Sequence, residues 1–130
     1  MMVHMTRAKP ALVLFAHGSR DPLWHQPIQA VAQAILAMNP DALVACAYLE
    51  LSKPDLPTVV EQLMGQGATH LSVLPLFLGV GKHAREDLPK LVDDLQTQFP
   101  QVTFTLKTAV GEDARLIALL ANMGLEALSP

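Results

Sequence analysis

The chain has 130 residues, 9 Lys+Arg against 12 Asp+Glu, a formal charge of −3 and 51% hydrophobic residues. That length sets one domain with room for its own core. The acidic balance and a charged fraction of only 16% give no basic surface for nucleic acid, and no apolar stretch approaches the ~20 residues that span a bilayer. The one cysteine, Cys46, excludes an internal disulfide or a Cys-x-x-Cys centre. Lying in the apolar run Ala42–Leu49, it reads as a buried structural thiol. Residues 1–9 carry no apolar signal core, so we expect a cytoplasmic protein: a disordered or extended segment over 1–10, holding His4, and a domain over 11–130.

Strand and helix patterns alternate along the chain. Leu12–Ala16 is a short apolar strand. Ile28, Val31, Ala32, Ile35 and Leu36 recur at helical spacing. Asp21-Pro22 supplies a cap and a first-turn proline, Pro27 delays the regular helix, and Asn39-Pro40 closes it. Ala42–Leu49 is the second strand. Leu56, Val59, Val60, Leu63 and Met64 form a second helical stripe, opened near Asp55 and ended at Gly65 or Gly67. His70–Leu76 is the third strand, followed by a glycine-bearing loop, Phe77–Lys82. Leu88, Leu91, Val92, Leu95 and Phe99 mark the third helix, with Pro100 as its stop. Val102–Leu106 alternates and reads as an edge strand. Gly111-Glu112-Asp113 opens a last helix carrying Leu116, Ile117, Leu119, Leu120 and Met123.

Apolar strands between amphipathic helices predict an α/β domain of three layers, with a four-stranded parallel sheet covered on both faces. Right-handed crossovers favour the strand order 2-1-3-4. The order then reverses between strands one and three, and ligands of open α/β sheets bind at such a switch point, beyond the carboxyl ends of the strands.

Several chemistries fail on spacing. Gly79-Val-Gly81-Lys82 is not a P-loop, because Leu76 stands where the first glycine belongs and His83 where a Ser or Thr belongs. No G-x-G-x-x-G follows the first strand, and no Gly-x-Ser-x-Gly elbow exists. Ala16 precedes His17-Gly18, where a histidine phosphatase carries arginine. What remains is His17, Glu50 and His83, each following a strand on the same sheet edge. Two imidazoles and a carboxylate suit a borderline divalent metal such as cobalt, nickel, iron or zinc. Each also has an ordinary alternative: a strand-end histidine can be purely structural, and Glu50 can pair with Lys53. His25 beside Trp24 reads as a lip residue, and His70 as a strand start.

Phe15-Ala-His-Gly-Ser-Arg-Asp-Pro22, Tyr48-Leu-Glu-Leu-Ser-Lys-Pro54 and Leu74-Pro-Leu-Phe-Leu-Gly-Val-Gly-Lys-His-Ala-Arg-Glu-Asp-Leu-Pro89 together resemble the CbiX-type sirohydrochlorin chelatases, class II tetrapyrrole chelatases that need no ATP. The resemblance covers residues 11–123. It implies insertion of cobalt, or nickel or iron, into sirohydrochlorin, with His17, His83 and Glu50 as metal-site residues. It also implies the short, single-lobe form, a homodimer whose two active-site faces meet. For the ring's carboxylates we expect Arg20, Lys82 and Arg85, with backbone N–H groups at Gly18 and Ser19; against the ring we expect Phe77, Leu78 and Val80. A non-catalytic metal-binding or tetrapyrrole-binding protein would use the same residues and is the alternative.

Overall fold

The computed structural model describes residues 8–130; the expectations for residues 1–7, His4 among them, lie outside that range. The first strand, β1, runs Pro10–Ala16. It starts earlier than its apolar run because Lys9 and Thr69 exchange bonds, Lys9 N–H to Thr69 Oγ1 (2.7 Å) and Thr69 N–H to Lys9 O (2.9 Å). A 3-10 turn at Pro22–His25 follows, with the Asp21 carboxylate accepting from Leu23 N–H. The first helix, α1 (Gln26–Met38), starts only there. Pro27 has no N–H and its ring crowds the carbonyl four residues back, so the α-helix cannot extend further toward the amino end.

Next come β2 (Leu43–Tyr48) and α2 (Leu56–Gly65), the latter capped by Asp55, which accepts from Thr58 N–H. They are followed by β3 (His70–Pro75) and α3 (Lys82–Gln98). The last elements are β4 (Thr103–Leu106), a 3-10 turn at Val110–Glu112 and α4 (Ala114–Ala127).

All four strands pair in parallel, in the order β2-β1-β3-β4. The register sets Val13 between Ala45 and Val73, and Val73 beside Leu106. Side chains alternate across a strand. Val13, Phe15, Leu71 and Val73 therefore point to one face, where Leu56, Val59, Val60 and Leu63 of α2 and Leu88 and Leu95 of α3 seal the main core. Leu12, Leu14, Ala16 and Tyr48 point to the other, packed by Ile28, Ala32 and Ile35 of α1. The three layers are thus α2 and α3, the sheet, and α1. No residue of α4 is buried, and its main contacts are with the 3-10 turn just before it. No helix among the described residues is long and apolar enough to cross a membrane.

Candidate active site

Parallel strands put all their carboxyl ends at one edge, and the order reverses between β1 and β3, opening a crevice there. His17 follows β1 directly. His83 is the second residue of α3, not a loop residue, because the helix begins one residue earlier, at Lys82, behind Gly81. Both histidines are exposed and line one cleft of about 460 Å³ with Leu49, Phe77, Asp87 and Asp94. The imidazole of His17 stacks on Phe77, and Phe77 leans on Phe15 with centroids 6.1 Å apart. Phe77 is only 1% exposed. It is the floor under His17 rather than an open wall, and Leu78 beside it is the exposed apolar residue of this loop.

The loop after β2 is fastened to the loop after β1. Leu49 N–H donates to Ala16 O (2.9 Å), and Glu50 N–H to His17 O (3.0 Å). Gly18 has φ +100°, and a Cβ there would lie 1.8 Å from Glu50 O, so only glycine fits the sharp turn and the close approach. Leu51 takes φ +64° without being glycine, a conformation with a real steric cost. Ser52 Oγ accepts from Ser19 N–H (2.8 Å) and donates to Ser19 O (2.5 Å). Its third neighbour is His25 Nε2 at 2.8 Å. A hydroxyl has one proton, so with Ser19 O taking it, His25 Nε2 is the donor in that contact. His25 in turn stacks on Tyr48, centroids 4.6 Å apart.

This geometry sorts the expected residues. His17 and His83 share the cleft. Glu50 is placed beside His17 by its main chain, but its exposed side chain does not line the cleft. Among the described residues no three His, Cys, Asp or Glu side chains converge to hold an ion. Arg20 and Lys82 are exposed and make no ion pair among the described residues. Arg85 is tied to Glu112 at 2.5 Å and faces a separate shallow cleft. The Ser19 N–H is taken by Ser52, and Ser19 Oγ accepts from Asp21 N–H (3.1 Å). The first turn of α3 has no side-chain cap, which leaves its N–H groups for an anion.

Sequence reasoning missed Ser52 and the acidic residues Asp87 and Asp94. The latter carried a signal: they stand four and eleven residues after His83, on one side of a helix. Ser52 carried none, being tied to a residue 33 positions away.

The family model for CbiX matches residues 11–127. The chain belongs to the CbiX family. A sirohydrochlorin ferrochelatase of Bacillus subtilis (strain 168) is 29% identical over 109 residues, 84% of this chain and 42% of its own length. A sirohydrochlorin cobaltochelatase of Methanococcus maripaludis is 35% identical over 82 residues, 63% of this chain and 57% of its own length. This CbiX-family chain therefore spans about half the length of these curated relatives. The crystal structure of the CbiX protein from Marinobacter aquaeolei VT8 superposes with a TM-score of 0.80 at 33% identity, covering 92% of this chain and 97% of that one.

Proposed function

We propose that this chain is a sirohydrochlorin metal chelatase that inserts a divalent cation into the tetrapyrrole without a nucleotide, with cobalt as the first candidate substrate and nickel or iron as the others. The observation that carries the reading is the shared cleft of His17 and His83 at the switch point, in a chain whose relatives bear ferrochelatase and cobaltochelatase names. Imidazole suits these metals, and two imidazoles bind too weakly to keep an ion that must be handed to four pyrrole nitrogens.

Insertion exchanges one M²⁺ for two pyrrole N–H protons. Neutral His17 and His83 hold the incoming metal, and the rigid Phe77 floor fixes the His17 ring plane. Glu50 or a released imidazole accepts the protons. The acids of the macrocycle meet Arg20, Lys82 and the uncapped first turn of α3. Leu78 and Val80 meet its apolar edge, and Arg85 joins only if its bond to Glu112 opens. A second copy of the chain faces this edge and closes the cleft around the ring, and the reaction takes place in the cytoplasm.

The test is single substitution at the two imidazoles. His17→Ala and His83→Ala should each remove turnover while leaving the thermal transition in place, since both side chains are exposed. Wild-type turnover in either variant takes that residue out of the site. A variant set that binds metal and ring equally well with no turnover in the parent chain favours the non-catalytic binding reading.

A further inference from the structure

We infer that the 3-10 turn Val110–Glu112 is the positioning element of His83: Gly111 and Glu112 clamp the segment that carries this histidine and set its reach toward His17. The inference rests on the reading above, in which the two imidazoles hold the incoming metal.

The segment that carries His83 is loose on its own. Phe77 and Leu88 are buried, but from Leu78 to Asp87 no residue is. Gly79 and Gly81 lie inside this span, and a Cβ at either meets nothing within 4 Å. No neighbour confines the backbone where it has most conformational freedom. The first turn of α3 has no side-chain cap, and the first buried residue of the helix is Leu88. Packing therefore fixes the body of α3 and leaves its first turn, with His83, to be held from outside.

The turn after β4 supplies that hold at two points. Gly111 N–H donates to Phe77 O (3.0 Å), and a Cβ at Gly111 would overlap the carbonyl of Leu78. Main chain is pressed on main chain there, at an approach only glycine allows. Past the two open glycines, Glu112 pairs with Arg85 in the first turn of α3. Arg85 stands two residues after His83, roughly 200° round a helix of 3.6 residues per turn. The pair thus grips the turn from the side away from the imidazole. Between the two points lies the shallow cleft of about 180 Å³, lined by Val80, Ala84, Arg85, Ala109 and Glu112. Gly111 grips the span before its glycines and Glu112 grips it after them.

The clamp is itself stiff. Glu112 N–H donates to Ala109 O and Asp113 N–H to Val110 O, both at 3.0 Å. Ala109 is buried in the main core, and Lys107 N–H donates to Val73 O (2.9 Å). The rigidity of the sheet reaches His83 by this route, as it reaches His17 through Phe77. Gly111 and Glu112 act through the backbone and through Arg85, so both are positioning residues.

The test uses Co²⁺ alone on the full chain, read by its visible d–d absorption and its Kd, beside native hydrogen exchange of the amide at position 85, which donates to Gly81 O (3.1 Å). Arg85→Met and Glu112→Ala should each raise the Kd about threefold, as loss of an exposed ion pair allows. Each should also speed exchange at position 85, with strand amides unchanged. The shared direction separates positioning from plain electrostatics, since losing the Arg85 charge alone would tighten cation binding and losing the Glu112 charge would weaken it. Opposite shifts overturn the inference, and so does a parent Kd in both variants. Gly111→Ala should raise the Kd about tenfold or more, because the methyl forces the loop and the turn apart. A parent Kd in folded Gly111→Ala overturns the inference, and if that variant does not fold, the ion-pair variants decide. A parent chain that binds no Co²⁺, or binds it equally in His17→Ala and His83→Ala, removes the chelatase reading instead. Exchange then judges the clamp, and parent rates at position 85 in both ion-pair variants overturn it.

Discussion

The imidazole of His17 lies flat on the Phe77 ring, centroids 4.0 Å apart and planes 19° apart. Phe77 is itself locked in the core beside Phe15, so the histidine inherits the rigidity of the sheet.

A flat support differs from mere bulk, and substitution separates the two. Phe77→Ala should cost about 3–5 kcal/mol of stability through the cavity it leaves. Phe77→Leu keeps apolar volume, should cost about 1 kcal/mol, and should still lower kcat about tenfold because the His17 plane is freed. Equal kcat in Phe77→Leu and the parent, measured on folded protein, removes the positioning role.

Gly18 and Gly79 make a matched pair. A Cβ at Gly18 meets Glu50 O at 1.8 Å on a backbone with positive φ, whereas one at Gly79 meets nothing within 4 Å. Gly18→Ala should destabilise by roughly 2 kcal/mol or more, and Gly79→Ala should stay within about 0.5 kcal/mol. Urea midpoints of the two variants check this, and similar midpoints would contradict the fastening of the two loops.

Ser52 is the clasp between those loops. Ser52→Ala strands the Ser19 N–H and O, which should cost about 1–3 kcal/mol. His25→Ala removes only the outer partner. It should leave the thermal transition nearly in place but weaken turnover, rescued in part by His25→Asn, which restores an N–H donor. Full activity in His25→Ala would show that Ser52 holds the loops unaided.

Two titrations follow from local chemistry. The Arg115 side chain, then the Arg115 N–H, holds Asp113 down to about 2. A lowered carboxyl stabilises above its unfolded value of 3.8, and that contribution disappears as pH falls through about 2. Far-UV helicity lost over that acid window in the parent chain, and already reduced at neutral pH in Asp113→Ala, is the expected result; an acid profile identical in the two chains is the contrary one. Burial pushes the Cys46 thiol up, so thiol reagents at pH 8 should label it slowly in the native chain and quickly in urea. Equal rates would place it at the surface.

The strand order was legible because four apolar runs separated by helices leave few right-handed arrangements, and the topology alone then brings His17 and His83 to one edge. The 3-10 turn at Pro22–His25 was less legible: Asp21-Pro22 has the chemistry of a helix start, and Pro27 decides that the α-helix waits until Gln26. The polar support of the site was hidden for a different reason. His25, Ser52 and Ser19 meet across 27 and 33 residues of chain, and no local pattern encodes such a contact. Arg85 was expected to meet the ring's carboxylates; no sign in the sequence showed that Glu112, brought in by the turn after β4, pairs with it. The apolar wrap of α4 was plain in Leu116–Met123, yet a pattern that demands burial does not name what does the burying.

The most direct measurement mixes the purified chain with sirohydrochlorin and Co²⁺, without nucleotide, and follows the tetrapyrrole absorbance against a protein-free control. The account predicts a protein-dependent conversion that His17→Ala and His83→Ala both abolish. No acceleration with cobalt, nickel or iron would contradict it.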